Sequence, residues 1–361
     1  MSSFSPADTS LRVAIIGYGG AGSVFHAPLI AATPGMEVAA LVTGNAERRR
    51  RAQERYPAAT LYSDVAELWR DAARYDLVVV ATANRSHVSL GLAALQAGLP
   101  VVIDKPLAAS VSDAERLLAL SKQSGKLLTV FQNRRWDNDF LTVRKLLSAD
   151  LAGPVTRFES RFERYRAEPR PGSWRELPDP AEAGGLLFDI GSHLIDQALL
   201  LFGRPLRVYA EMARRRPGAQ VDDDTFVALY FANGVVAHLW MSLVARLPAP
   251  RMRVSGLHGT YEKWGLDPQE DALRAGGDPA ATQWGSEPRE RWGRLVTEIA
   301  GLPVDAHIET VPGAYPQFYV LLRDALLNGG EPPVDASSVV EVLRVIEAAR
   351  QSAAEGRVIP F

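Results

Sequence analysis

The sequence predicts an α/β chain in two parts: a doubly wound parallel sheet over residues 1–133, then an α/β domain over 134–361 with a large open, mainly antiparallel sheet. Three observations lead there. An apolar strand, Val13-Ala14-Ile15-Ile16, runs into Gly17-Tyr18-Gly19-Gly20-Ala21-Gly22 and then into helically spaced Val24, Phe25, Leu29 and Ile30. Near-continuous apolar strands then alternate with helical stretches as far as residue 133, the pattern of a parallel sheet covered on both faces. Beyond residue 150 the texture changes to alternation of apolar with polar residues, as in half-buried strands.

In order along the first part, strands are expected at 12–16, 37–42, 77–81, 101–103 and 127–131. The clearest helix between them covers 113–123, with Ser112 placed to cap its start and Gly125 beyond its end. Polar residues 133–138 follow neither period and read as the link. In the second part, strands are expected at 155–162, 225–231, 235–240 and 251–255, with Ala232-Asn233-Gly234 turning between the second and third. Between 164 and 185 lies a Pro-, Gly- and Arg-rich stretch of the kind that forms a lid or binding loop, and 265–310 carry little pattern. Helices near 317–327 and 337–355 close the chain.

Composition narrows the function. Hydrophobic residues make up 47% and charged residues 23%, with a net charge of -2, which gives no reason to expect nucleic acid or acidic membranes as partners. With no cysteine, disulfides, thiolate catalysis and cysteine metal sites are excluded. The polar start shows no secretory pattern, and no apolar run is seen to approach the ~20 residues that span a bilayer. The expectation is a cytoplasmic protein without a metal site.

Glycines spaced G-x-G-x-x-G between strand and helix are a dinucleotide fingerprint: one for the turn, one to admit a pyrophosphate, one to let helix meet strand. Asp104-Lys105-Pro106 ends another apolar strand, at the carboxyl end where open α/β sheets bind ligands. A third segment runs from Gly184-Gly185 through a helical pattern to Gly203 and puts Asp189, His193 and Asp196 at i, i+4 and i+7, on one helix face. Carboxylate, imidazole and carboxylate in a row suit proton transfer, with Asp196 placed to fix the tautomer of His193. Gly191 inside the helix costs roughly 1 kcal/mol against alanine, which points to close approach of another element. The remaining histidines show no metal-ligand spacing. The strand ending at Thr43-Gly44-Asn45 has no acid to bind a ribose 2′-hydroxyl, and Arg48 to Arg51 follow, which favours a 2′-phosphate and so NADP, with NAD as the other possibility.

The glycine fingerprint, Asp-Lys-Pro and Asp-x-Gly-x-His-x-x-Asp, in this order, resemble the Gfo/Idh/MocA family of nicotinamide-dependent sugar and polyol oxidoreductases. Gly-Tyr-Gly-x-Ala-Gly-x-x-Phe-His-Ala-Pro (17–28), Asn133-Arg134-Arg135-Trp136-Asp137 and Trp264-Gly265-Leu266-Asp267-Pro268-Gln269-Glu270 are similar to the branch with NADP-dependent scyllo-inositol dehydrogenases. That family commonly has glutamate where this chain has Asp104. The resemblance implies Lys105 and His193 as the catalytic pair, with Asp189 orienting substrate hydroxyls. It implies cofactor contacts from Gly17, Tyr18, Gly19, Gly20, Ala21, Gly22, Thr43, Arg48, Thr82, Asn84, His87, Asp104 and Lys105. Substrate contacts would come from Phe25, Gln132, Arg135, Trp136, Asp189 and His193. It further implies a cis Lys105–Pro106 peptide and a homodimer or homotetramer built through the second sheet. The small-molecule substrate would be a polyol, a sugar such as an inositol, aldose or ketosugar, or a related carbonyl compound. The other reading of the same residues is a non-catalytic dinucleotide-binding redox sensor or regulator.

Overall fold

A computed structural model describes residues 10–170 and 172–361, which fold as two compact units. The first holds the chain up to Asn133 together with Gln269–Trp284 and Ala314–Ser337; the second holds Arg134–Pro268, Gly285–Gly313 and Ser338–Phe361. The switch thus falls at residue 133, and two later segments return to the first unit.

The first unit is built on six strands: β1 Leu11–Ile16, β2 Met36–Val42, β3 Thr60–Tyr62, β4 Leu77–Val80, β5 Val101–Asp104 and β6 Leu128–Phe131. Their order is β3-β2-β1-β4-β5-β6 and every pairing is parallel, the doubly wound Rossmann arrangement. All four residues of β4 are buried, as the unbroken valine run requires of a strand covered on both faces. The three-residue edge strand β3 is too short for a period and is absent from the sequence expectations. Helices connect the strands: α1 Ala27–Ala31 after a π-helical turn over Ala21–His26, α2 Ala46–Arg55, α3 Val65–Arg70, α4 His87–Gln96 and α5 Val111–Ser124. The Asn45 side chain caps α2 by accepting the Arg48 N–H at 2.9 Å. Ser110 caps α5, two residues before the expected Ser112, and Gly125 ends it at φ 64°.

Inside this unit His26 is fully buried. Its ring packs 4.4 Å from that of Phe131, and Nδ1 lies 2.6 Å from the Tyr319 hydroxyl on the helix Pro316–Asn328. Burial pulls its pKa from 6.5 down to about 4, so the imidazole is neutral.

The second unit contains α6 Asn138–Ser148, β7 Val155–Glu163, α7 Ser192–Phe202, β8 Pro205–Ala213, β9 Asp224–Phe231, β10 Val236–Ser242, β11 Met252–Gly256, β12 Thr260–Lys263, β13 Gly293–Ile299, β14 Leu302–Ile308 and β15 Ile359–Pro360. They form one nine-stranded sheet, β14-β13-β12-β11-β7-β10-β9-β8-β15, antiparallel except where β10 lies parallel to β7. Phe158, Phe162, Val208, Val227, Leu229, Leu239 and Met241 point to the buried face. The opposite face carries Arg157, Glu159 and Arg161 on β7 beside an aromatic group in which Phe226 lies 5.5 Å from His238 and 5.1 Å from Trp240.

Five strands of this unit, β8, β12, β13, β14 and β15, are not legible in the sequence. β14 contains Pro303 and Asp305 and buries no residue, so edge-strand chemistry hides its period. The two-residue turn between β13 and β14, Ala300 at φ 53° and Gly301 at φ 79°, is the signal that could have found it. One correction concerns apolar length. The helical run Pro180–Phe202 is long and apolar enough by composition to span a bilayer, but 67% of its apolar window is buried inside the fold.

Because His26 is neutral when folded but protonates near its ordinary value when unfolded, the unfolded state binds more protons between those values. Its contribution is complete above about pH 6.5 and is lost progressively down to about pH 4, on the order of 3 kcal/mol in all. Urea unfolding followed across this range should show that loss, and His26→Gln should remove most of the slope; an unchanged slope in the variant would refute it.

Candidate active site

Three strand ends, those of β1, β2 and β4, meet at the glycine turn. The Gly17 N–H donates to the Val42 carbonyl at 3.0 Å and the Ala81 N–H to the Ile16 carbonyl at 2.8 Å. Gly17 sits at φ 100°, and a Cβ there would stand 2.5 Å from the Ala81 carbonyl oxygen and 3.0 Å from Thr82 Cγ2. A Cβ on Gly22 would overlap the Gly17 carbonyl. Both positions therefore exclude side chains because backbone meets backbone. At Gly20 nothing lies within 4 Å of a Cβ, and at Gly19 only the Arg48 guanidinium does, at 3.6 Å. The cradle at the start of this helix is open where a pyrophosphate would rest on backbone N–H groups, so the residues fit a dinucleotide. Tyr18 is buried, and Ala21 opens the π-helical turn.

Of the four arginines after β2, Arg50 pairs with Glu47 and Glu54, and Arg51 lies 3.7 Å from Glu47. Arg48 turns instead to the glycine loop. Thr43 is buried at the end of β2, its hydroxyl receiving the Asn45 N–H at 3.4 Å.

The ends of β4 and β5 are tied by His87. One ring nitrogen lies 2.8 Å from the Pro106 carbonyl and the other 3.3 Å from the Thr82 carbonyl, and the side chain is buried. Both nitrogens face backbone, so His87 brackets the two loops rather than presenting a polar edge to a ligand. Thr82 accepts the Ser86 hydroxyl at 2.7 Å, and buried Asn84 opens the next turn. The Lys105–Pro106 peptide is cis, and Asp104 Oδ1 accepts the Lys105 N–H at 2.9 Å. At the end of β6, Gln132 is 1% exposed and neither end of its amide has a hydrogen-bond partner among the described residues. Phe25 is half-buried, its ring 6.4 Å from that of Phe131 and 6.3 Å from that of Tyr315.

In the second unit the expected single helix begins as a π-helical turn, Leu187–Gly191, before α7. The wider turn changes the angle between Asp189 and the residues beyond it. A Cβ on Gly191 would lie 3.3 Å from Met241 of β10, which is the close approach the glycine implied. Gly185, at φ 94°, faces the Asp222 carboxylate, which caps the turn by accepting the Leu187 N–H at 2.8 Å. His193 and Asp196 are buried, and Asp189 is partly exposed.

Asp196 has a duty that its helix spacing does not show. Its two oxygens receive Arg135, Nε at 2.8 Å and Nη2 at 2.6 Å, while Nη2 also donates to Ser338 at 2.9 Å. Arg135 is thereby an anchor for α7, and Trp136, partly exposed on the same turn, is the member of the pair left open to solvent.

The sequence gave no sign of Arg175. It reaches Asp189 Oδ1 from the 164–185 stretch at 3.1 Å, its guanidinium lying 4.2 Å from the centre of the Trp174 ring. That stretch is fastened to the fold: buried Arg216 donates to Glu176 at 2.9 Å, to Asp223 at 2.9 Å and to the Glu168 carbonyl at 3.1 Å. Asp267 of the Trp264–Glu270 motif accepts the Asn138 N–H at 2.7 Å and so caps α6 from a distance.

Comparison with known proteins places these features in a family. Residues 11–132 match the family model for the NAD-binding Rossmann fold of the Gfo/Idh/MocA oxidoreductases, and 144–361 match that for their C-terminal α/β domain. The oxidoreductase YdgJ of Escherichia coli K12 is 41% identical over 346 residues, covering 95% of this chain and 96% of that protein. The scyllo-inositol 2-dehydrogenase (NADP(+)) IolW of Bacillus subtilis 168 is 36% identical over 353 residues, 97% of this chain and 96% of that one. The crystal structure of the oxidoreductase YvaA from Bacillus subtilis superposes with a TM-score of 0.92 at 34% identity, covering 98% of this chain and 99% of that chain. With both parts matched, the chain belongs to the Gfo/Idh/MocA family of NAD(P)-binding oxidoreductases.

Proposed function

We propose that the protein is an NADP-dependent dehydrogenase or reductase acting on the CH–OH group of a polyol or sugar, inositol-like or an aldose or ketosugar, or on a related carbonyl compound. The observation that carries this is Lys105 at the carboxyl end of β5, hydrogen-bonded to Asp104 and bracketed by His87, in the unit that holds the open glycine cradle. The named activity of IolW supports the substrate class, as does that of a D-apiose dehydrogenase from Paraburkholderia graminis at 27% identity.

NADP would lie on Gly17–Gly22, with Arg48 at the 2′-phosphate and Thr43, Thr82, Asn84, Asp104 and Lys105 along the strand ends. Bound there, it supplies the hydride acceptor in oxidation and the donor in reduction. His193, when neutral, takes the hydroxyl proton in oxidation and returns it in reduction. The Lys105 ammonium opposes negative charge growing on the same oxygen, an electrostatic contribution that needs no proton transfer from the lysine. Asp189, steadied by Arg175, accepts hydrogen bonds from neighbouring hydroxyls, and the buried Gln132 amide offers a donor and an acceptor. Phe25 and Trp136 supply apolar surface to the sugar carbons.

A panel of inositols, aldoses and ketosugars followed by absorbance of the reduced cofactor tests the activity. Turnover of none of them, with NADP still bound, would favour the sensor reading. Catalytic efficiency should be greater with NADP than with NAD, and Arg48→Ala should lower it about tenfold or more with NADP while leaving NAD little changed. Equal or better efficiency with NAD would overturn the cofactor assignment.

Lys105→Ala should cut kcat by on the order of 10²-fold or more, as for loss of a preorganised donor. His193→Ala should cost roughly 10²–10⁴-fold and abolish the acid limb of alcohol oxidation. NADP affinity should change little in the His193 variant. Dehydrogenase activity surviving both changes would show that the chemistry lies elsewhere.

The Phe226, His238 and Trp240 group on the open sheet face is proposed as the seat of a homodimer or homotetramer contact. Light scattering at micromolar concentration should give a multiple of 39.3 kDa, and Phe226→Glu should lower it; a monomeric parent protein would refute the assignment.

A further inference from the structure

Tyr319 and His26 lie behind the Asp104-Lys105 turn, within the first unit, and nothing in the reaction described above uses them. Burial raises Tyr319 well above its ordinary pKa, so its hydroxyl carries a proton to donate. At 2.6 Å from His26 Nδ1, it fixes that nitrogen as the acceptor, and the single ring proton of the neutral imidazole sits on Nε2. Nε2 is fully buried and has no hydrogen-bond partner among the described residues; the polar atom it faces is Asp104 Oδ1, at 4.0 Å. That same oxygen accepts the Lys105 backbone N–H at 2.9 Å. One carboxylate oxygen therefore stands between an imidazole N–H and the main chain of the lysine.

We propose that Tyr319 and His26 are positioning residues: they hold the Asp104 carboxylate, and through it the Lys105 turn, in its working geometry. The inference rests on the assignment of Lys105 to the reacting oxygen. Packing alone does not call for histidine here. The ring lies against Phe131 and edge-on to Tyr319, where phenylalanine would fill the space without a polar edge to desolvate. The groups facing His26 are Tyr319, Asp104 and His87, and the carboxylate is the one that attracts an N–H. A separation of 4.0 Å is too long for a hydrogen bond. With the imidazole fully buried it is still a directed attraction, and hydrogen bonds at sites without ligand are often long and tighten in the complex.

The test uses the double variant His26→Phe/Tyr319→Phe, which removes both polar partners together and so strands neither. The thermal midpoint should stay within a few degrees and the NADPH dissociation constant, read by fluorescence, within about threefold. With the substrate found in the panel, kcat should fall roughly 10- to 100-fold while KM moves less than about threefold. In an Asp104→Ala background the same pair of changes should lower kcat by less than about twofold, because the carboxylate they act through is gone. His26→Gln, whose amide can accept from Tyr319 and donate to Asp104, should recover at least about a third of the parent kcat.

Equal losses with and without Asp104, no loss with Asp104 present, or no recovery with His26→Gln would each overturn the proposal. If the panel yields no substrate, the activity reading fails separately, and the positioning role is read from the protein alone. After reductive methylation with ¹³C-formaldehyde, assigned by its absence in Lys105→Arg, the Lys105 signal should shift in the double variant, and Asp104→Ala should erase that difference. An unshifted signal would refute it.

Discussion

Everything in the first unit depends on a contact that no side chain can share, that between the Gly17 carbonyl and Gly22. It brings the helix after β1 down onto the strand, and Gly17 in turn touches Ala81 and Thr82 at the end of β4. Once these segments are this close, the carboxyl ends of β1, β2 and β4 form one surface. The histidine bracket from Thr82 to Pro106 then adds β5, so the position of Lys105 follows from two glycines far earlier in the chain. A substitution at either glycine would disturb the lysine as well as the phosphate cradle.

The second unit is organised by a different force. Asp196, Asp223 and Asp139 are buried charges, and each is met by an arginine: Arg135, Arg216 and Arg251. Lys263 and Glu287 make a further buried pair at 2.9 Å. Such pairs recover their desolvation cost only when the geometry is good and the remaining donors are satisfied, so their effect is to select one arrangement more than to add stability. Here they select the placement of two elements that carry residues of the proposed site. Arg135 fixes α7, which carries His193, and Arg216 fixes the loop that carries Arg175 to Asp189.

What could be read in the sequence follows from how each element is stabilised. The buried parallel strands announce themselves because both faces must be apolar, and the glycine turn because only glycine fits. β8 and β14 do not, since their alternation is diluted by alanine, proline and exposed charge, and pairing in the sheet, not intrinsic preference, makes them strands. At the site, Lys105, His193 and Asp189 stand on segments with strong local patterns. Arg175 stands on an irregular loop, and its partner is found by tertiary structure alone. The hold of Arg135 on Asp196 is hidden for a related reason: spacing on a helix names neighbours along one element, whereas Arg135 approaches from 61 residues away with a bidentate geometry.

This division bears on where specificity resides. The groups proposed to move protons and balance charge lie on a strand end and a helix, each fixed by buried contacts. Asp189 straddles the two regimes, since its backbone belongs to the π-helical turn while its carboxylate is held by Arg175 of the loop, an arginine half-exposed beside Trp174. Changes around Arg175 can therefore alter the setting of the Asp189 carboxylate without disturbing α7, provided that Glu176 stays paired with Arg216. A fixed frame with a replaceable, ion-pinned loop is a physical route by which one fold can come to take different ligands.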